Sequence, residues 1–304
     1  MDVTADPEIV VLGAAGQLGA ELCALLPEGS FFGKNRETLD ITDWETVDIF
    51  LRTVRPEFVV NCAATSSFRR TAIDEASHQA VNAASVANLA KACRIAGCKL
   101  VHISDGEVLG GGGTRAHVEC DCGSPEDVYA TSKLSGEHAI LSVAALNSRG
   151  SSLQYWILRT SMLVGPRGRP SFLDYLSSVI HSSRTPFGLS EQVVRAPLHA
   201  RTMAQEVLWL LRNHKQVPSG TYHVSGWGCA SLLEIAQCFV SGLRDTRHAP
   251  LVSCDYELFK RSYPCFGLRN GALNCDCWQE VTGRMMPNWA KDVRTYARES
   301  GRAG

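Results

Sequence analysis

Tyr129 and Lys133 are the residues whose types and spacing most directly suggest chemistry. Residues four apart lie on one face of a helix, so this spacing places a phenol beside an ammonium group. A tyrosine can give a proton to the oxygen of a carbonyl that receives hydride, but its ordinary pKa of about 10 makes it slow at neutral pH. A neighbouring lysine lowers the pKa of such a phenol and can also bond to the ribose of a nicotinamide cofactor. The pair predicts carbonyl reduction, and the alternative is an ordinary surface pair.

A glycine-rich turn supplies a second candidate site through Gly13, Gly16 and Gly19. It follows a strand-like run at 8–12 and opens a helix-like segment. The first glycine permits the turn, the second lets the backbone approach a pyrophosphate, and the third allows close helix packing. The helix N-terminus then offers free N–H groups and a positive dipole end. In this context the turn predicts nucleotide binding, although glycine turns also occur for steric reasons.

The residues after the second strand bear on the choice of cofactor. An acidic side chain there would accept from the ribose of NAD, whereas a cation suits the 2′-phosphate of NADP. Here the segment is Lys34-Asn35-Arg36, and the first acid is Glu37. We therefore predict NADP(H), with NAD(H) as the alternative cofactor. It is nearly as plausible that Lys34 and Arg36 are ordinary solvated surface charges with no cofactor contact.

The elements that must position these residues alternate between strands and helices. Such alternation predicts a doubly wound parallel sheet of the Rossmann type, an α/β fold. We expect an NADP-binding Rossmann domain at 1–160 and a smaller C-terminal α/β substrate lobe at 161–304, with segments around 195–226 returning to the first domain. The predicted strands are 8–12, 30–33, 58–61, 99–103 and 155–158, and the predicted helices are 17–26, 44–54, 77–96 and 124–143.

Composition excludes several function classes. The 304 residues include 30 Lys+Arg and 31 Asp+Glu, a balance that gives no reason to expect a nucleic acid or membrane partner. No apolar run approaches the roughly 20 residues that span a bilayer. The segment 1–13 lacks the basic region and cleavage pattern of a secretory signal, so we expect a cytoplasmic protein.

Twelve cysteines are present, and two Cys-Asp-Cys pairs, 120–122 and 275–277, raise the question of zinc. Their separation matches none of the usual zinc spacings. In a cytoplasmic protein we expect unpaired structural thiols and no metal.

Nine stretches spread over nearly the whole chain match one known pattern. They are GAAGQLG (13–19), LDITD (39–43), VVNCAAT (59–65), AVNAASVANLAKAC (80–93), HIS (102–104), VYATSKLSGE (128–137), ILRTSMLVG (157–165), GTYHVSG (220–226) and LRNGALNCDCWQEVTGRMMPNW (268–289). With these stretches the chain resembles the extended short-chain dehydrogenases/reductases, and more narrowly the dTDP-4-dehydrorhamnose reductase family.

The resemblance implies a set of site residues. Tyr129 would be the proton donor and Lys133 its partner. The implied cofactor contacts are Gly13, Gly16, Gln17 and Leu18 at the pyrophosphate, Asp40 and Ile41 beside the adenine, and Ala63, Ala64 and Thr65 toward the nicotinamide. To these we add Gly19 of the glycine turn, Cys62 beside Ala63, and Lys34, Asn35 and Arg36, which the segment after the second strand offers to a ribose phosphate.

The chain departs from the family pattern where the reductases carry Ser-Thr-Asp-Tyr. Its own residues are Ser104-Asp105-Gly106-Glu107, which puts Asp105 in the place of a threonine that polarises the substrate carbonyl. An ionised aspartate only accepts hydrogen bonds. Ser104 is the alternative donor, although its side chain should point to the other side of the strand. Glu107 and Met162 take the places of aromatic residues that face the substrate.

Two functions are compatible with this pattern. The first is an NADPH-dependent reductase of a 4-keto nucleotide sugar. The second is an NADP-binding, non-catalytic regulatory subunit that resembles the beta subunit of methionine adenosyltransferase and acts on a partner enzyme. The altered stretch at 104–107 supports the second function, and the intact Tyr–Lys pair supports the first. A homodimer fits both, and Arg69 and Arg70 are either anion ligands or exposed loop charges.

Overall fold

The computed structural model describes residues 8–65, 74–146, 152–245, 247–264 and 268–300, so Arg69 and Arg70 lie outside the described residues. The strands of this part of the chain are β1 (Ile9–Leu12), β2 (Phe31–Lys34), β3 (Phe58–Asn61), β4 (Lys99–Asp105), β5 (Tyr155–Thr160), β6 (Leu163–Val164), β7 (Phe187–Leu189), β8 (Val194–Arg195), β9 (Leu198–His199), β10 (Gly220–His223), β11 (Ala230–Ser231), β12 (Leu251–Ser253) and β13 (Asn270–Gly271). Six of them are parallel and form the central sheet, in the order β2-β1-β3-β4-β5-β10.

Helices cover both faces of this sheet, which confirms the doubly wound α/β prediction. The helices are α1 (Gln17–Leu25), α2 (Trp44–Val54), α3 (Glu75–Gln79), α4 (Ser85–Ala96), α5 (Val128–Ala144), α6 (Phe172–Ser182), α7 (Ala200–Asn213), α8 (Leu232–Gly242), α9 (Tyr256–Ser262), α10 (Asp276–Thr282) and α11 (Trp289–Ser300). Val11 of β1 packs with α1 and α7, whereas its neighbours Val10 and Leu12 pack with α2, α4 and α5 on the other face. Buried strands of a parallel sheet are apolar on both faces for this reason.

The helix predicted at 77–96 is interrupted by a π-helical turn, Ala80–Ala84. The turn presses the carbonyl oxygen of Asn82 against α5, where a Cβ on Gly136 would lie 2.2 Å from that oxygen. Such turns are frequent at functional sites. The hydrophobic periodicity of 77–96 could not predict this interruption, because it depends on packing against Gly136 of another helix.

The helix predicted at 124–143 begins four residues later, at Val128. Asp127 caps it, since its Oδ1 accepts from the backbone N–H of Ala130 at 2.8 Å. The N–H of Ser124 is bonded to a carbonyl of the turn after β4, which keeps the preceding residues extended. The catalytic candidates therefore lie in the first two turns of α5.

A second apolar core lies beneath α6, α8, α9 and α11, on the C-terminal side of the chain. Small sheets of two or three strands cover it, with the orders β11-β8-β13, β12-β7 and β6-β9 in the described residues. Tyr296 of α11 is fully buried there and donates to Asp174. None of the helices described is both long and apolar enough to cross a bilayer.

Candidate functional site

A cleft of about 740 Å³ opens at the carboxyl ends of the parallel strands. Ligands of open α/β sheets bind in this position, where the strand order reverses. The cleft brings together most of the residues predicted from the sequence: Gly13, Gly16, Gln17, Leu18, Asn35, Arg36, Asp40, Ile41, Cys62, Ala63, Ala64, Thr65, Ser104, Asp105, Tyr129, Lys133 and Met162.

The glycine turn has the geometry that its sequence predicts. Gly13 has a φ of 76° and lies so close to β3 that a Cβ would be 2.6 Å from the nitrogen of Ala63. Gly16 is the N-cap of α1 and has no side chain to cover the first N–H groups of the helix. Gly19 faces away from the cleft, against the carbonyl of Gly13, where a Cβ would be 2.2 Å from the oxygen. Gly19 thus acts through helix packing.

Lys34 does not line the cleft, contrary to the position expected for a phosphate ligand. Its Nζ lies 5.4 Å from the ring centroid of Phe32 and 5.1 Å from that of Phe50. These cation–π contacts hold the ammonium away from the ribose end. Arg36 does line the cleft and pairs with Asp40 at 3.2 Å, with its side chain 85% exposed.

Tyr129 and Lys133 are both buried beside the end of β4. The Oη of Tyr129 donates to Oδ2 of Asp105 at 2.9 Å, and the Nζ of Lys133 donates to the carbonyl of Ile103 at 2.7 Å. Burial lowers the pKa of Lys133, and the charges of Asp105 and Glu137 partly oppose this effect. Both side chains therefore lie at the end of β4, and the phenol of Tyr129 already donates a hydrogen bond to a carboxylate.

The other donor candidate, Ser104, lies next to this group. Its side-chain oxygen is buried and has no hydrogen-bond partner among the described residues. Ser104 is one of the residues that line the cleft. Because its hydroxyl oxygen is buried, Ser104 offers no exposed donor to a ligand in this structure.

A network of buried hydrogen bonds ends at the backbone of Tyr129, and the sequence patterns did not predict it. Asn82, in the π-helical turn, donates to Thr65 Oγ1 at 2.7 Å and to Ser132 Oγ at 3.0 Å. Ser132 in turn donates to the carbonyl of Tyr129 at 2.7 Å. The ring of His78 meets that of Tyr129 edge-on, with centroids 5.8 Å apart. The network ties the nicotinamide side of the predicted site to the first turn of α5.

A buried ion pair anchors the same helix to the sheet. Arg159 of β5 donates to Glu137 of α5 through Nε at 3.0 Å and Nη2 at 2.7 Å. Arg159 is 7% exposed and Glu137 is 1% exposed. Two-pronged pairs of this kind fix orientation as well as distance. The pair therefore orients the helix that carries Tyr129 and Lys133.

A model of the family described as RmlD substrate binding domain matches residues 7–301. The chain belongs to this family. A dTDP-4-dehydrorhamnose reductase of Streptomyces griseus is 37% identical over 228 residues, which cover 73% of this chain and 71% of the relative. A dTDP-4-keto-6-deoxy-D-glucose reductase of Streptomyces niveus is 30% identical over 232 residues, covering 75% and 76%. The resemblance inferred from the nine sequence stretches is confirmed.

The fold of the RmlD family extends to solved structures. A dTDP-4-dehydrorhamnose reductase from Bacillus anthracis str. Ames, in complex with NADP, matches with a TM-score of 0.82 over 97% of this chain and 100% of that one. At 22% identity this likeness concerns the fold.

In this RmlD family member a second segment, which the sequence did not predict, lies against the glycine turn at 13–19. Gly168 has a φ of 72°, and a Cβ there would be 2.5 Å from the carbonyl carbon of Gly16. The next residue, Arg169, lines the cleft. The available signal was the Pro-Arg-Gly-Arg sequence at 166–169, in which a glycine lies between two cations.

A smaller cavity of about 60 Å³ adjoins the cleft and contains Glu107, the predicted substrate-facing residue. Asp105, Ser161 and Met162 line both cavities. Arg195 of β8, which the sequence patterns did not single out, lies 3.6 Å from Glu107. Glu107 thus lines the small cavity, where it pairs with Arg195, and does not line the cleft.

The Cys-Asp-Cys pairs differ in their surroundings. Cys120 and Cys122 are exposed, whereas Cys275 is buried and accepts from the N–H of Ser225 at 3.3 Å. Burial raises the pKa of Cys275 to about 11, so its thiol stays protonated at neutral pH. Among the described residues, no cluster of three or more potential ligands could hold a metal ion.

Proposed function

We propose that the protein is an NADP(H)-dependent reductase of a 4-keto nucleotide sugar, of the dTDP-4-dehydrorhamnose reductase type. The observation that carries this proposal is the buried pair of Tyr129 and Lys133 at the inner end of the cleft. Membership of the RmlD family, with relatives named as reductases, supports it.

The residues along the cleft fit a dinucleotide. The first N–H groups of α1 face the cleft at Gly16 and suit a pyrophosphate. Arg36 at the rim suits a 2′-phosphate, which favours NADP(H) over NAD(H). A cofactor bound in this way would bring its nicotinamide toward Thr65 and Tyr129. NADPH, when bound, supplies the hydride.

The chemistry left to the chain is the transfer of one proton. Tyr129 gives its phenolic proton to the carbonyl oxygen as negative charge develops there. Lys133 stabilises the phenolate that remains and orients the ribose. Before this step, the phenolic proton must leave its hydrogen bond to Asp105 and turn to the substrate.

The same hydrogen bond is the specific observation that favours a second candidate function. A carboxylate that accepts from Tyr129 competes with the carbonyl for the proton, and it cannot donate to the carbonyl itself. An NADP-binding regulatory subunit would keep the cofactor site and need no proton transfer. In that case the partner would be another enzyme.

One experiment separates the two functions. Purified protein is titrated with NADPH and NADH, and NADPH oxidation is then followed with a dTDP-4-keto-6-deoxy sugar. The reductase requires turnover that Tyr129→Phe lowers by about 100-fold or more, within the range for a general acid. Tyr155→Phe, at the start of β5, is the matched control and should change nothing. Tight NADPH binding without turnover, with the same NADPH affinity in Tyr129→Phe, would contradict the reductase function and favour the regulatory one.

A further inference from the structure

The segment at 165–169, called the cover segment below, brings a cation to the glycine turn. Gly168 packs on the peptide bond between Gly16 and Gln17, since a Cβ on it would lie 2.5 Å from the carbon and 2.7 Å from the nitrogen of that bond. The nitrogen belongs to the first residue of α1, where the free N–H groups of the helix lie. Arg169 follows directly, with its Cα about 3.8 Å from that of Gly168. The side chain of Arg169 therefore begins beside the N–H groups that suit a pyrophosphate.

Three cations line the cleft in the described part of the chain, and Arg169 is the one without a partner there. Arg36 pairs with Asp40 at 3.2 Å, and Lys133 donates to the carbonyl of Ile103. A guanidinium presents its N–H donors in a planar fork that matches the oxygens of a phosphate. The donors of Arg169 are thus available to an anion that enters the cleft.

A buried carboxylate, Glu21, holds the cover segment against α1. Glu21 is 2% exposed and lies one helical turn after Gln17. Its Oε1 is 3.5 Å from Nε of Arg167 in the cover segment, and its Oε2 is 3.9 Å from Nε of Arg201 at the start of α7. A buried carboxylate needs opposite charge close by, because an unpaired ion is costly to remove from water. This requirement keeps Arg167 against α1.

A second contact fixes the start of the cover segment. Gln17 donates through Nε2 to the carbonyl of Gly165 at 3.5 Å, and the preceding residue, Val164, pairs with His199 of β9. Helix α1 therefore holds the cover segment at two points, one turn apart, through Gln17 and Glu21. Arg169 extends from a backbone whose position relative to the glycine turn is fixed.

We propose that Arg169 binds the pyrophosphate of the dinucleotide cofactor, and that Glu21 positions Arg169 by holding Arg167. The proposal rests on the NADP(H) binding proposed above. A diphosphate in this cleft belongs either to the cofactor or to a nucleotide sugar. The contact between Gly168 and Gly16 favours the cofactor, because the guanidinium and the first N–H groups of α1 then bind the same diphosphate.

The test measures the Kd of NADPH, 2′-AMP and dTDP for the wild type and for Arg169→Gln. 2′-AMP carries the adenosine and the 2′-phosphate of the cofactor and lacks its pyrophosphate. We expect Arg169→Gln to weaken NADPH binding by about tenfold, which is typical of a lost hydrogen bond to a charged group, and to leave the other two ligands unaffected. Arg212→Gln is the matched control, since Arg212 is exposed on α7 and lines neither cavity.

The positioning role of Glu21 is tested by combining two substitutions. Glu21→Gln keeps the shape of the side chain and removes the charge that holds Arg167. It should weaken NADPH binding by about fivefold when Arg169 is present and by less than about twofold in Arg169→Gln, where nothing is left to position. Damage to α1 as a whole would lower the affinity equally in both backgrounds. If Glu21→Gln does not fold, Arg167→Gln, at a side chain 52% exposed, gives the same comparison.

The possible failures are distinguishable. Unchanged NADPH affinity in Arg169→Gln, or an equal loss for 2′-AMP, overturns the role of Arg169. A loss for dTDP with NADPH unchanged assigns Arg169 to the diphosphate of a nucleotide sugar and overturns the cofactor assignment. Equal losses on Glu21→Gln in both backgrounds overturn the positioning role. A wild type that binds no NADPH contradicts the proposed function as well, whereas the other failures leave that function standing.

Discussion

Replacing Asp105 by threonine should increase turnover. The carboxylate of Asp105 lies 2.9 Å from Oη of Tyr129. A substrate carbonyl oxygen that approaches this phenol, and gains negative charge as the hydride arrives, would lie about 4 Å from the carboxylate. Unit charges at that separation repel by about 4 kcal/mol at an effective dielectric constant of about 20. Lys133 beside them and the open cleft reduce this repulsion. We take about 2.7 kcal/mol as the net penalty, which corresponds to about 100-fold in rate.

Threonine also restores a hydroxyl donor toward the carbonyl. Donors of this kind contribute about 100-fold to 1000-fold in enzymes that stabilise an oxyanion. The two effects act on the same oxygen and do not add in full, so we expect kcat/KM of Asp105→Thr to rise about 100-fold.

The assay is NADPH oxidation with the 4-keto nucleotide sugar, at saturating cofactor. Asp105→Asn is the matched control, because it keeps the shape and removes the charge. It should show a smaller gain than Asp105→Thr. NADPH affinity should be the same in all three proteins, since the substitution alters the carbonyl end of the cleft.

A loss of an existing activity on Asp105→Asn would refute this reasoning. It would mean that the carboxylate takes part in the proton transfer, as an acceptor for Tyr129 or as a donor when protonated.

Three further predictions concern the scaffold. Gly168→Ala places a Cβ at a residue with positive φ and against the glycine turn, so it should lower the free energy of unfolding by at least about 2 kcal/mol and weaken NADPH binding. The control is Gly29→Ala, at a φ of 82° with no atom within 4 Å of the added Cβ, which should lower the free energy of unfolding by less and leave NADPH binding unchanged. Glu137→Gln leaves Arg159 buried without its counter-charge and should cost about 3–5 kcal/mol in urea unfolding, whereas the double variant with methionine at both positions should be nearly neutral. Burial, aided by the charge of Arg159, lowers the pKa of His223 to about 4, below its value in the unfolded chain. The free energy of unfolding should therefore fall by about 3 kcal/mol as the pH drops from 6.5 to 4, and His223→Gln should flatten that dependence.

The sequence predicted those parts of the site that depend on local chain geometry. The glycine turn at 13–19 and the spacing of Tyr129 and Lys133 follow from the strand–turn–helix pattern and the helical repeat. Arg195 could not be found in this way, because its place depends on β8 pairing with β13, some 75 residues later.

The position of Lys34 escaped prediction for a related reason. Lys34 directly follows the strand predicted at 30–33, but its ammonium lies over the aromatic ring of Phe50 on α2 and not in the cleft. The π-helical turn at Asn82 depends in the same way on Gly136 of another helix. Contacts between elements distant in sequence decide each of these positions.

The glycine turn at 13–19 is covered by a segment that follows it by about 150 residues. Gln17 donates to the carbonyl of Gly165 at 3.5 Å, and Gly168 lies against Gly16. During synthesis, domains form from the N-terminus as the chain emerges. A nascent chain therefore completes this wall of the cleft only after residue 168 has left the ribosome, and a fragment that ends at β5 lacks the segment that covers the glycine turn.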